Sequence, residues 1–192
     1  GEILWNYMQA QIARMYLEEN NPETHIAVKF LVDLLLPCIG FEMEKSGKYH
    51  LTGMELSSIT DHFLENLKTA RDTYKAAFKE IMDQYAMLKK TLELDDSLSR
   101  DNHIALFLLK RMGIMTDADS DPDPERSEES LPNAYSFLHQ HFRDFFAACH
   151  LRNVAVIALQ QKKLPQEWQA RSLPLYLRRL LGDLEGEYRV QP

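Results

Sequence analysis

Tyr135-Ser136-Phe137-Leu138-His139-Gln140-His141-Phe142-Arg143-Asp144-Phe145-Phe146-Ala147-Ala148-Cys149-His150-Leu151 changes character half-way along. Ala134 to His139 reads as a short strand. From Phe142 onward apolar residues recur at helical spacing, through Phe145, Phe146, Cys149, Leu151, Val154, Ile157 and Leu159. Phe142, Phe145 and Phe146 make the i, i+3, i+4 face that seats such a helix on a core. A strand that runs straight into a strongly apolar helix, with His139 at the junction, fixes the frame for everything upstream.

Ile114 to Thr116 reads as the partner strand. An acidic loop carrying Ser and Pro separates it from Ala134, so the pair forms a hairpin whose tip is too polar to bury much. Asp117, Asp119, Asp121, Asp123, Glu125 and Glu128 fall at the ligand offsets of a calcium loop. Position six decides against that reading, because a calcium loop needs glycine there and this chain has Pro122, whose ring fixes φ at a negative angle. A solvated hairpin tip is the expectation.

Before the hairpin, Ile104, Leu106, Phe107, Leu108 and Met112 define a short helix, with Ser99 or Asp101 as its cap and Gly113 as its stop. Asp95 to Ser99 is a polar break. Further upstream an apolar stripe runs from Leu56 through Ile59, Phe63, Leu67, Ala70, Tyr74, Phe78, Ile81, Tyr85, Leu88 and Leu92 with hardly a breaker. Its steps of three and four predict either one long helix or, preferred, a helical hairpin packed on its own domain; a dimerising coiled coil is the other option. Thr52 with Glu55 is a capping box and sets the start of that helical run. Lys48 to Leu51 reads as a short extended piece after a turn at Lys45, Ser46 and Gly47. A helix from about His25 to Met43 precedes it, with an irregularity at Pro37. Ile3, Leu4, Tyr7, Met8, Gln11, Ile12, Met15 and Tyr16 open the chain on an amphipathic helix, closed by Asn20, Asn21 and Pro22. At the other end Pro165 and Pro174 bracket a segment leading to Leu175 to Leu181.

Composition narrows the function. The chain has 192 residues, 45% of them hydrophobic, enough for a real core. A formal charge of −7 disfavours nucleic acid, whose affinity comes from clustered Lys and Arg releasing counterions. The longest apolar run, Phe30 to Ile39, contains Asp33 and Pro37 and is too short for a bilayer, so no membrane partner is expected. Cys38 and Cys149 sit in apolar stretches and read as buried thiols rather than a disulfide framework, which with the lack of a signal peptide makes a cytoplasmic location the expectation. The seven histidines do not cluster with Cys or carboxylates, so no metal site is expected. No serine sits in a Gly-x-Ser-x-Gly elbow, which argues against a hydrolase. Seven scattered glycines make no phosphate-cradling loop. The chain is expected to be no enzyme on its own and to bind no cofactor of its own. Gly1, followed at once by helix-forming sequence, looks like a remnant joined to the middle of a longer protein.

The stretch from Tyr135 to Leu151 resembles the hallmark of NACHT-type NTPases of the STAND class, whose pattern runs Tyr-x-Phe-Leu-His, then Phe-Gln-Glu-Phe-Phe-Ala-Ala and a Leu. The resemblance extends over roughly residues 30 to 155, since Leu35 to Leu64 and Asp101 to Met115 are similar to the helices and strands that precede the hallmark. It implies a mainly α chain: a helical subdomain plus a winged-helix-like domain with one short β-hairpin. The expected divisions are 1–30, the end of a helical subdomain; 31–160, the winged-helix-like domain with a helical insertion at about 66–98; and 161–192, a C-terminal helical linker. It further implies that His139 senses the nucleotide by reaching the β-phosphate of ADP in an upstream NTPase domain of the same chain. An imidazole can donate a hydrogen bond to a phosphate oxygen while gaining charge near neutrality. Phe137, Phe142, Phe145 and Phe146 are implied as packing residues of the hallmark. ADP or ATP with Mg would belong to the parent protein, as would ATP hydrolysis, because the Walker motifs are absent here; homo-oligomerisation on activation is a further expectation. The chain departs from the pattern in Arg143-Asp144, which replaces Gln-Glu, and in the stretch Asn66 to Leu98, which looks like an insertion. Two other readings stand beside it: a winged-helix DNA-binding regulator, opposed by the acidic wing, and a helical interaction scaffold.

Overall fold

The computed structural model describes residues 3, 6–8, 10, 11, 13, 14, 21–118 and 134–161. The tip of the acidic loop with its calcium-like spacing, most of the opening helix, and the linker expected after residue 161 lie outside the described residues. Helix α1 (Pro22–Phe30) starts three residues earlier than the apolar pattern suggests, because Asn21 accepts a hydrogen bond from the Glu23 amide and Pro22 occupies the first turn. The helix passes through a π-helical stretch (Leu31–Leu35) into α2 (Leu36–Ser46), which stops at Gly47 with φ of 67°.

Pro37 explains that irregularity. It has no N–H to give the carbonyl of Asp33 one turn back, so a regular helix would leave that oxygen unpaired. The Leu36 amide reaches back to the Leu31 carbonyl instead of one residue nearer, which makes the π turn. Asn153, buried on α8 (Gln140–Gln161), supplies the missing donor: its side-chain amide gives a hydrogen bond to the Asp33 carbonyl at 2.6 Å. Replacing Asn153 with alanine is expected to cost about 1–3 kcal/mol, the penalty of a buried acceptor left unpaired. In a urea-unfolding double-mutant cycle, Pro37→Ala restores the N–H and should shrink that loss; additive losses would show that the two positions do not communicate.

Strand β1 (Leu51–Thr52) leads into α3 (Gly53–Thr69) through the expected capping box, in which the Glu55 amide donates to Thr52 Oγ1 at 3.2 Å and the Thr52 amide to Glu55 Oε2 at 2.8 Å. The stripe beyond it forms neither one long helix nor a two-armed hairpin. It breaks into α3, α4 (Arg71–Ala77), α5 (Lys79–Asp83) and α6 (Tyr85–Thr91), with non-helical backbone at Ala70, Phe78 and Gln84. A straight helix from Gly53 to Thr91 would run about 60 Å, roughly twice the width of a small domain, so its apolar side would outrun the core. Bending three times brings Leu67, Ile81, Met82, Leu88 and Leu92 into the core cluster. Helices α5 and α6 pack on α1, and α4 packs on α8. These stripe residues are therefore occupied within the chain.

Helix α7 (Ser97–Leu106) is capped by Asp96, which accepts from the Leu98 amide at 3.1 Å, and not by Ser99 or Asp101. Asp96 already has extended backbone and an acceptor in place, so the helix starts there. It runs on through a π-helical stretch (Phe107–Arg111) and ends at Gly113, φ 58°, where the Ile114 amide bonds the Leu108 carbonyl. Strands β2 (Met115–Asp117) and β3 (Ala134–Phe137) pair antiparallel with Met115 opposite Phe137. The extended piece before α3 joins the same sheet: Leu51 stands opposite Tyr135, giving three strands in the order β1-β3-β2. The molecule is thus mainly helical with one small antiparallel sheet, in the order helix, strand, helices, hairpin, with β3 as the middle strand. Tyr135 and Phe137 turn into the core from the central strand.

A candidate site at the junction of strand β3 and helix α8

Tyr135 to Phe146 converge on the turn between β3 and α8. Leu138 still belongs to the sheet through its amide, which donates to the Ile114 carbonyl at 2.9 Å. His139 then opens the helix, its carbonyl accepting from the Phe142 amide at 2.9 Å. Its ring is exposed, 5.9 Å from the ring of Phe142 at a tilt of 32°. Phe142 is anchored in turn by Tyr7 of the N-terminal helix, ring centres 5.5 Å apart.

The phenylalanines below it form the seat. Phe142 and Phe146 are fully buried, Phe137 stacks on Phe146 at 5.7 Å, and half-buried Phe145 meets Phe146 edge-on at 5.4 Å. His141, 81% exposed, points at Asp144, 3.9 Å away. No third ligand joins the two histidines, and among the described residues no group of three or more His, Cys, Asp or Glu could hold a metal ion.

Arg143 is a structural tie. Its guanidinium is buried between α8 and α2, 2.6 Å from Glu44, 3.2 Å from Asp144 and from the Lys48 carbonyl, with the Tyr49 ring 4.7 Å away. One side chain therefore ties the first turn of α8 to the end of α2 and to the turn before β1. Burial and a hydrogen bond that the protonated Glu44 carboxyl gives to Asp144 push Glu44 above its usual range, with Arg143 pulling the other way. The only hint in the sequence is a cation inside an aromatic run.

His150, one helical stretch further on, stacks on Phe41 with ring centres 4.4 Å apart. Burial, with Lys45 nearby, pushes its pKa down to about 4 from an ordinary value of 6.5. The neutral form is held in the native state, so its contribution to stability is intact above pH 6.5 and is lost as pH falls toward about 4, about 3 kcal/mol in all. Urea unfolding between pH 6.5 and 5 should show this slope in the native sequence and a flatter one in His150→Phe; equal slopes would place the acid sensitivity elsewhere.

Cys38 and Cys149 form no disulfide; the first is buried and the second half-buried, with burial raising the Cys149 thiol pKa, which opposes a nucleophilic role. Each protein-family model, curated protein and solved structure compared with the chain fails to match it. The junction has to be read from its own residues.

Charge and exposure bear on the nucleic-acid reading. Lys29, Lys45, Lys48, Lys68, Lys75, Lys79, Lys89 and Lys90 each lie in an ion pair, and the Arg111 guanidinium sits over the Phe107 ring at 4.8 Å. Along α7 and the π-helical stretch after it, the helix a DNA-binding winged helix would place in the major groove, Leu98, Asn102, Leu106 and Lys110 form an exposed row. Leucines facing water in that row suit a protein surface better than phosphates. Among the described residues no helix is long and apolar enough to cross a membrane.

Proposed function

We propose that this chain is the regulatory, non-catalytic part of a NACHT-type nucleotide-dependent signalling switch, a helical subdomain and winged helix that respond to ADP or ATP held by an upstream NTPase domain. The observation that carries this reading is His139, exposed at a backbone-fixed helix start inside the Tyr-x-Phe-Leu-His stretch. The strand order β1-β3-β2 and the aromatic seat under the junction support it, because a sensing ring needs a rigid mount. Coupling requires the nucleotide to interact differently with the closed and open arrangements, and a phosphate contact from His139 supplies that difference. The partners are then the NTPase domain of the same chain and, on activation, further copies of the protein, with the signal transmitted by rigid-body movement of the winged helix in the cytoplasm. ADP retention by the parent protein, with His139 or alanine at this position, is the test. The DNA-binding reading has no observation in its favour on α7, whereas the exposed leucines there favour an additional protein contact.

A further inference from the structure

The His139 side chain is exposed, so its torsions turn freely unless a neighbour restrains them. Among the described residues that neighbour is Phe142, whose ring lies 5.9 Å from the imidazole. Phe142 also holds the His139 backbone, through the hydrogen bond its amide gives to the His139 carbonyl. It is the mount of the imidazole, and whatever fixes the Phe142 ring fixes His139 as well.

Phe142 is 1% exposed although the turn it serves lies at the surface. Part of its cover is Tyr7, with ring centres 5.5 Å apart and planes inclined by 44°. Tyr7 comes from the opposite end of the chain, and the next residue of its helix, Met8, is fully buried in the core. Tyr7 itself is 36% exposed, so its ring forms the outer edge of that cover. Taking the ring away removes one wall from Phe142, whose own ring torsion has broad, two-fold preferences and uses the room.

We infer that Tyr7 is a positioning residue for His139, acting through Phe142, and that the N-terminal helix thereby regulates how firmly the imidazole is held. The regulatory consequence rests on the reading of His139 as the nucleotide-sensing group; the chain of contacts stands without it. An imidazole already held has less freedom to lose when it takes up a phosphate oxygen. Ordering one side chain at a binding site changes affinity by about two- to tenfold. Displacing Tyr7 therefore loosens the hold on ADP without touching the phosphate.

Two measurements test this. NMR of the isotope-labelled full chain reads the mount through the nuclear Overhauser contact between the rings of His139 and Phe142. Tyr7→Ala should weaken that contact and move the His139 ring signals, whereas Tyr7→Phe, which keeps the ring, should leave both as they are. Ile3→Ser, at a position 85% exposed on the same helix, should change neither. Tyr7→Leu, which removes the ring but keeps an apolar cover, takes the place of the alanine variant if that one does not fold. In the natural full-length protein Tyr7→Ala should release ADP about two- to tenfold faster, and the acceleration should vanish in the His139→Ala background. A His139–Phe142 contact unchanged by Tyr7→Ala, or weakened equally by Tyr7→Phe, would overturn the inference, as would an acceleration that persists without His139. If His139→Ala alone leaves ADP release unchanged, the switch reading fails, and the NMR contact still decides whether Tyr7 holds the ring.

Discussion

Arg143→Ala is expected to lower the unfolding free energy by about 3–5 kcal/mol, the cost of removing one partner of a buried ion pair and stranding the other. Glu44 is the stranded group. Its side chain is 11% exposed, and without Arg143 it keeps only burial and Asp144, both of which favour the protonated acid. The sign of the pH dependence follows. A carboxyl whose folded pKa lies above its unfolded value destabilises the fold most when the pH is above the folded pKa, and that penalty is relieved as pH falls toward the unfolded value. The difference in stability between the native sequence and Arg143→Ala should therefore be larger at pH 7.5 than at pH 5, measured by urea unfolding. The His150 contribution is common to both proteins and cancels. Arg143→Met, which keeps the stem without the charge, combined with Glu44→Gln should recover part of the loss; no recovery would mean that Arg143 acts through its other contacts alone.

Gly40 is the second position where one small change should do great damage. It lies where α2 crosses α8, and a Cβ added there would meet the Phe146 Cβ at 2.8 Å, the Arg143 carbonyl at 2.9 Å and the Ala147 amide nitrogen at 3.0 Å. Two of those neighbours are backbone, so no side chain can swing away and the helices must part. Alanine would gain up to about 1 kcal/mol of helix propensity over glycine, yet Gly40→Ala is expected to lose about 1–3 kcal/mol net, and Gly40→Val more. Gly53 is the control. A Cβ there meets only a Tyr135 ring atom at 3.9 Å, an ordinary contact, so Gly53→Ala should leave thermal stability within about 0.5 kcal/mol. If Gly40→Ala melts no lower than Gly53→Ala, the close helix crossing is wrong.

The contrast between these residues and those legible in the sequence has a physical basis. Thr52 with Glu55, Gly113 as a stop and the strand before Phe142 act through neighbours a few residues away, so their types and spacing suffice. Asn153 answering Pro37, and Arg143 answering Glu44, are pairs separated along the chain whose meaning appears only once α2 and α8 lie side by side. The stripe from Leu56 to Leu92 is legible as apolar and helical but not as broken, because periodicity records which side is buried and says nothing of how far a straight helix can run before leaving its core. His139 can be located from the motif. Its surroundings come from the structure alone, which leaves its ring exposed beside Phe142.

The most direct measurement is the rate at which ADP leaves the natural full-length protein with His139 or with alanine in its place. A hydrogen bond from an imidazole N–H to a charged phosphate oxygen is worth about 1.5–3 kcal/mol, so His139→Ala should release ADP at least about tenfold faster while the fold around it melts at an unchanged temperature. A full-length protein that retains no ADP, or one that releases it at the same rate with alanine at position 139, would contradict the assignment of this chain to a nucleotide-dependent switch.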